Sequence, residues 1–374
     1  MELCANAIIT NPIDLIRCLR NEKDFKIDIE NHNRYKVMVK ETEGTTAYCF
    51  NTPIYDLTEG RIISSRFNEE NGEKYFRGSN CTMIIKKNIV RLENTRGVVD
   101  IIFNNEEIDE DLWVSPTMNG FHFLCSKERV SFKLKAKIAQ SGLWFNGQHF
   151  SIMADKFLPC VSVSGLYAKD EKGNCFPMSL QYTEKGEHEY EITAFSTHHA
   201  KELRFEINFY EHKLFQDTTV ESKNPDKNNA FGAVGFIGRT EDFGEQWLYI
   251  RPDFSRISDL YQKRVESIYF HVPVLNGSDE ILEAYIPQRR FCSFGSTWNK
   301  KVPHSEKKIS SVNNGKYLTF DVTDLFRNPI GQVISYNEGL ILRKPKNPNS
   351  INDFIAISTG DSYSYPQILE IKIK

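Results

Sequence analysis

The side chains best suited to recognise a ligand lie in the last third of the chain: Tyr285, Trp298 with Asn299, and Tyr363 and Tyr365 with Asp361. A pyranose ring has an apolar face that stacks on an aromatic side chain, while amides and carboxylates take its hydroxyls, so this combination points to sugar contact. Tyr363 and Tyr365 stand in Ser358-Thr359-Gly360-Asp361-Ser362-Tyr363-Ser364-Tyr365-Pro366, a polar run that predicts an exposed turn at a sandwich rim. Trp298 has core packing as its competing role. Trp144 and Trp247 are expected at domain junctions, as packing between domains.

Catalytic chemistry finds few candidates. The sequence holds no G-x-S-x-G, H-E-x-x-H, P-loop, G-x-G-x-x-G or EF-hand pattern. The acidic groups Glu69-Glu70, Glu106-Glu107 and Asp109-Glu110-Asp111 read as solvated turns rather than acid/base pairs or calcium ligands. His198 and His199 are adjacent, so on a strand they point to opposite faces and cannot share one metal without a third ligand from elsewhere. The eight cysteines are scattered, with no C-x-x-C, and Cys125 in Phe121-His122-Phe123-Leu124-Cys125 reads as a small buried hydrophobe. The expectation is a protein without cofactor or metal that is not an enzyme; an enzyme acting on polysaccharide is the distant alternative.

Composition narrows the partners. The 374 residues carry a formal net charge of −3, with lysines and glutamates interleaved rather than gathered into a basic stripe, so neither nucleic acid nor an anionic membrane surface is an expected partner. No apolar run approaches the roughly 18 residues of a spanning helix. Met1 to Ala7 offers neither a basic leader segment nor a long apolar one, which places folding in the cytoplasm of the producing cell, with delivery to a spore, phage particle or cell surface.

The elements that must position these residues are strands. The main helix is expected in residues 1–22, where Thr10 or Asn11 caps, Pro12 fits the first turn and Ile13, Leu15, Ile16 and Leu19 form an apolar stripe. It either docks on the next domain or serves as an arm that latches onto a neighbouring subunit, with Cys4 and Cys18 available for cross-linking. Period-2 alternation then recurs, most clearly at Val130, Phe132, Leu134, Ala136 and Ile138, at Leu203 to Phe209, at Ile268 to Val274 and at Leu369 to Ile373. Such short runs between turn residues suit antiparallel sheets packed face to face, so the fold class is all-β, with tandem antiparallel β-sandwich domains after a short N-terminal helix. The expected spans are 1–22 for the arm or helix, 23–140 for a β-sandwich, 141–213 for a small Ig-like unit and 214–374 for a third sandwich. In the last span Asp321 or Thr323 is expected to cap a short helix at Leu325-Phe326-Arg327, stopped by Pro329.

Within residues 214–374 the landmarks follow a distinctive order. Asp217-Thr218-Thr219-Val220 leads to Pro225, Asn228, Asn229 and Gly232, then Phe236-Ile237-Gly238, Arg251-Pro252-Asp253-Phe254 and Val265-Glu266-Ser267-Ile268. Thr297-Trp298-Asn299, Phe320-Asp321-Val322-Thr323, Tyr336-Asn337-Glu338-Gly339-Leu340 and Pro366-Gln367-Ile368-Leu369-Glu370-Ile371 complete it. This order resembles the DNRLRE family of bacterial β-sandwich modules. The resemblance implies carbohydrate binding, as in some members, or presentation on bacterial surfaces, as in many. Together these observations lead us to expect a structural or assembly protein of a bacterial surface, spore or phage particle, with glycan contact through the C-terminal module. The alternative is a monomeric carbohydrate-binding or adhesion module. A polysaccharide and self-assembly through the N-terminal arm are the expected contacts.

Overall fold

The computed structural model describes residues 12–20, 28–33, 35–51, 67–77, 82–86, 88–94, 97–103, 113–117, 120–125, 129–138, 143–146, 149–153, 159–196, 198, 202–209, 213–276, 279–335, 337–345, 350–362 and 365–374. The chain is all-β and antiparallel, with one short helix near its start. It divides into two compact units, one built from Met1–Gly60 together with His212–Lys374 and the other from Arg61–Glu211.

Arg61–Glu211 contains two sheets. In the larger one Phe67–Glu70, Glu73–Arg77, Thr82–Lys86, Ile89–Asn94 and Gly97–Phe103 follow one another as neighbours, and Arg129–Ile138, Glu189–Phe195 and Ser179–Gly186 extend the row. The first hairpin turns at Asn71 and Gly72, both with positive φ (53° and 74°), as a two-residue turn matched to strand twist requires. The second sheet runs Leu143–Asn146, His149–Met153, Pro159–Lys169, Glu202–Phe209, Gly120–Cys125 and Trp113–Thr117. Both sheets cross the expected boundary at residue 140: Arg129–Ile138 pairs with Glu189–Phe195, and Gly120–Cys125 with Glu202–Phe209. Hairpin signals reveal local pairs but not which distant strands become neighbours, so a boundary read from them can fall where the sheets bridge it.

The other unit is a sandwich whose sheets share one long strand. Val265–Asn276 pairs with Ile368–Ile373 and Tyr317–Asp321 along most of its length, then shifts register and pairs with Asp353–Ser358 near its end. Between the sheets Ile268, Phe270, Val272 and Val274 meet Leu248, Ile250, Leu318, Phe320, Leu340 and Ile371 in one buried core. The strand Gly44–Phe50 pairs with Ile368–Ile373 over its whole length, so residues 36–50 belong to this sandwich rather than to the separate domain expected from residue 23.

The helix Pro12–Arg20 packs its stripe inward. Leu15, Ile16 and Leu19 are buried against Val37, Val39, Tyr48, Phe50, Tyr317 and Ile368, on the face of the sheet turned away from the main core. Arg20 at its end reaches both Tyr48 and Glu41. The stripe that an arm would offer a neighbour is therefore covered by the helix's own sandwich, and Cys18 is disulfide-bonded rather than a free thiol. Thr10, Asn11 and Cys4 lie outside the described residues.

The short helix at the other expected cap spans Thr323–Phe326, starting two residues earlier than the sequence suggests, and its N-cap is Val322, which offers no side-chain bond. Asp321 Oδ1 instead accepts the Thr323 N–H at 3.0 Å. The Thr323 hydroxyl crosses to the neighbouring strand, accepting the Ile268 N–H at 2.9 Å and donating to the Ile268 carbonyl at 3.3 Å.

Truncating the stripe tests the docking of the N-terminal helix. Ile16 is fully buried, so Ile16→Ala should cost about 2–5 kcal/mol, as for other large-to-small core changes. Thermal denaturation of the full chain reads this directly, and an unchanged melting temperature would show that the helix adds nothing to the sandwich.

Candidate functional site: an aromatic and cationic sheet face

Strand register gathers the site. Leu248 faces Leu342, and Glu283 faces Arg343 across the next pair, so Trp247, Arg343 and Tyr285 rise from the same side of three adjoining strands, Gly244–Pro252, Leu340–Arg343 and Glu283–Pro287. The alternate residues Leu248, Leu342 and Ala284 fill the core beneath. This is the period-2 division of a sheet, with the main core on one face and Trp247, Arg343 and Tyr285 on the other.

The segment from Gln288 to Pro303 folds across that face, its ends held by the Gln288 N–H on the Pro303 carbonyl at 2.8 Å. It supplies Phe291, Val302, Trp298 and Lys301: Phe291 and Val302 sink beside Val220, Tyr249 and Ile341, while Trp298, Trp247 and Tyr285 pack partly exposed around them. The asparagine-rich loop fastens this segment. Asn228 Nδ2 donates to the carbonyls of Ser293 (2.6 Å) and Ser296 (2.8 Å). The Asn299 N–H bonds the Pro225 carbonyl at 3.0 Å, and its side-chain amide donates to Asp226 at 3.0 Å. Asn299 is exposed, and its amide holds loop to loop. Deeper in, Asn224, Asn229 and Gln246 all donate to the buried Glu221 carboxylate, whose pKa burial raises while these donors pull it back. The asparagines are thus required by the loop's own backbone and by one buried carboxylate.

The rings are close and carry cations. Trp247 and Trp298 lie 5.1 Å apart between centroids, tilted by 58°. Lys301 Nζ sits 3.5 Å from the Trp298 centroid and 4.5 Å from that of Trp247, and the Arg343 guanidinium sits 3.8 Å from Trp247 and 5.2 Å from Tyr285. Such distances give the ring quadrupole a firm hold on each cation. Burial lowers the Lys301 pKa and Arg343 adds to that, with Glu245 opposing. His304 packs 4.6 Å from Tyr285 and accepts at Nε2 from Arg343 at 3.0 Å. Glu283 accepts from the Tyr285 hydroxyl at 2.7 Å and from Lys308 at 2.6 Å, and Glu245 accepts from the Trp247 indole N–H at 2.7 Å. Aromatic surface, ammonium and guanidinium donors and carboxylate acceptors therefore lie within one small area, a combination suited to a polyhydroxylated ligand.

Of the residues selected from sequence, Trp298 and Tyr285 meet here, with Asn299 at the edge. Asp361 and Tyr365 do not. The turn expected to be exposed is buried: Asp361 is 4% and Tyr365 6% exposed, and Asp361 contacts Lys213. A Cβ on Gly360 would come within 2.7 Å of Phe215 Cβ, so only glycine lets the turn tuck this close. Tyr363 lies outside the described residues. His198 stacks on Phe176 at 4.3 Å, and His199 lies outside the described residues. Trp247, expected at a domain junction, belongs to the aromatic face instead, and Lys301, Arg343, His304 and Glu283 carried no sequence signal of their own. A cavity of about 590 Å³ opens elsewhere in the same unit, beside Tyr269, Asp321, Glu370 and Lys307, and the aromatic face does not line it.

Compared with known proteins, the chain matches no family model and no curated protein. Among the described residues no helix is long and apolar enough to cross a membrane, and no group of three or more His, Cys, Asp or Glu is arranged to hold a metal ion.

Beneath the buried turn, Asp217 is 3% exposed, and its Oδ2 accepts the Gly360 N–H. Burial pushes this carboxyl up to about 7, against the opposing pull of Lys213 and the Gly360 N–H. A carboxyl that holds its proton more tightly when folded favours the fold most below its ordinary pKa, near 3.8, and that stabilisation drains away as pH rises toward about 7. Asp217→Asn should therefore shrink the fall in melting temperature between pH 4 and pH 7, whatever its effect at any single pH. Parallel profiles for the two proteins would remove Asp217 as the source.

Proposed function

We propose that the chain is a non-enzymatic component of a bacterial surface, spore or phage assembly, and that its C-terminal sandwich contacts glycan through the face carrying Trp247, Trp298 and Tyr285. The observation that carries this is the convergence of two tryptophans and a tyrosine from separate segments onto one sheet face, partly exposed and surrounded by paired donors and acceptors. Tryptophans at a core's edge are often partly exposed, but here the rings also carry cations and lie among charged donors and acceptors, which packing alone does not call for. The order of motifs shared with the DNRLRE family supports the same reading, since glycan contact and surface presentation are what that resemblance implies.

The ring faces nearest the cations are occupied, so sugar contact uses the remaining ring surface together with hydrogen bonds from Lys301, Arg343 and Lys308, the last held by the buried Glu283. Removing one stacking ring should weaken binding by about 1 kcal/mol, close to fivefold in affinity. Trp298→Ala and Tyr285→Ala should each reduce retention of the full chain on immobilised acidic or neutral polysaccharide, with Tyr182→Ala, an exposed tyrosine of the other unit, as control. Retention that is absent in the wild type, or equal in all variants, would refute glycan contact through this face.

A further inference from the structure

Side chains from two distant parts of the C-terminal sandwich, Lys213 and Asp361, meet beneath the turn that leads to its last strand, close to Asp217. Lys213 immediately precedes the sandwich's strand Phe215–Glu221, Asp217 lies on that strand, and Asp361 stands between Asp353–Ser358 and Ile368–Ile373. Lys213 Nζ is in contact with Asp361 Oδ1, and the two side chains are only 13% and 5% exposed. The Phe231 ring lies 5.9 Å from the amine and Phe215 borders the adjoining Gly360, so water has little access. Asn51, itself buried, holds both backbones in place: its Oδ1 accepts the N–H of Leu214, next to Lys213, at 2.5 Å, and its Nδ2 donates to the carbonyl of Gly360, next to Asp361, at 2.8 Å. Asp217 grips the same Gly360 from the other side, through its N–H, while its Oδ1 has no hydrogen-bond partner among the described residues.

A buried lysine against a buried carboxyl, with a second buried carboxyl that feels the lysine's charge and bonds the N–H of the residue before Asp361, forms the arrangement needed for amide formation. We propose that Lys213 and Asp361 are joined by an intramolecular isopeptide bond that forms within the folded sandwich, with Asp217 as the proton shuttle. Low-dielectric surroundings favour neutral forms, so the ammonium and carboxylate of Lys213 and Asp361 exchange a proton to give an amine and a carboxylic acid. The amine lone pair attacks Asp361 Cγ. Protonated Asp217 gives its proton to the departing oxygen and takes one from the nitrogen, the C–O bond breaks, and water leaves. The balance is one ammonium and one carboxylate converted to one amide and one water, with Asp217 returned to its starting state and no oxidant or activating reagent consumed. The high proton affinity that burial gives Asp217 suits that exchange near neutral pH. Fixed placement by Asn51 supplies the proximity that lets an unactivated carboxyl react.

The product would tie the segment before Phe215–Glu221 to the turn before the last strand, closing a covalent loop around the strands from Phe215–Glu221 to Asp353–Ser358. Such a loop restricts the unfolded chain and resists forced separation of the sandwich's ends.

Intact mass spectrometry of the full chain under reducing conditions tests this. The wild type should be lighter than its sequence by one water, and its protease digest should contain a branched peptide joining Lys213 to Asp361. Lys213→Arg and Asp217→Asn should both restore the full mass and abolish the branched peptide. A wild type of full mass, or a missing water traced to another residue, overturns the proposal. A cross-link that persists in Asp217→Asn overturns the role given to Asp217. If Asp217→Asn fails to fold, the wild type and Lys213→Arg still decide whether the bond exists.

Discussion

The C-terminal sandwich depends on how its last strand is covered. Ile368–Ile373 sends Leu369, Ile371 and Ile373 into the core, so the strand must lie within a sheet rather than at its rim, where unpaired N–H and carbonyl groups would invite another chain. One side is taken by Val265–Asn276 and the other by Gly44–Phe50, from the opposite end of the sequence. That second pairing leaves so little room that a side chain at Gly44 would strike the Ile373 carbonyl, and its φ of +102° is one that glycine adopts without strain. Once Gly44–Phe50 is in place, Lys36–Glu41 pairs with it and the outer apolar surface of Val37, Val39, Tyr48 and Phe50 needs a cover, which the helix Pro12–Arg20 supplies. The position of the first described helix is thus a consequence of closing the last strand.

This explains which parts of the fold were legible in the sequence. Alternation at 268–274 and 369–373 marked true strands because each has one face in a core, and a period of two records that face whatever the neighbour is. The neighbour itself leaves no local trace. Nothing in Thr45 to Phe50 announces pairing with the C-terminus, and Arg129–Ile138, the cleanest alternation in the chain, pairs across the point chosen as a domain boundary. The cap at Asp321 and Thr323 was legible as polar residues before a short helix, but not in its geometry, because Thr323 is drawn away by the Ile268 backbone.

The turn at 358–366 failed as an exposed rim for a related reason. Its serine, threonine, glycine and aspartate composition is what a solvated turn uses, and also what a buried turn needs in order to satisfy its own backbone. The Thr359 hydroxyl donates to Gly232 and accepts the Asp361 N–H, Ser362 Oγ accepts the Tyr365 N–H, and Gln367 donates to the Ser358 carbonyl at 2.9 Å. Polarity that serves internal bonding cannot be told from polarity that serves water until the partners are placed.

The aromatic face shows the opposite balance. Tyr285 and Trp298 were legible by type, because large amphipathic rings have few roles, yet their meeting with Trp247, Lys301 and Arg343 depends on two strand registers and a folded-over loop. The cations also change what the rings can do. An ammonium 3.5 Å from Trp298 and a guanidinium 3.8 Å from Trp247 occupy ring faces that could otherwise stack on a ligand, and Glu245 favours the charge on Lys301. On the proposed glycan reading, a ligand approaching this face would meet donors before it met bare ring, and its orientation would come from hydrogen bonds to Arg343 and Lys301, while the rings keep those donors fixed. On that account the tryptophans act as much by positioning the cations as by direct contact, and Arg343, which touches Trp247, Tyr285 and His304 at once, links the three strands' contributions into one surface.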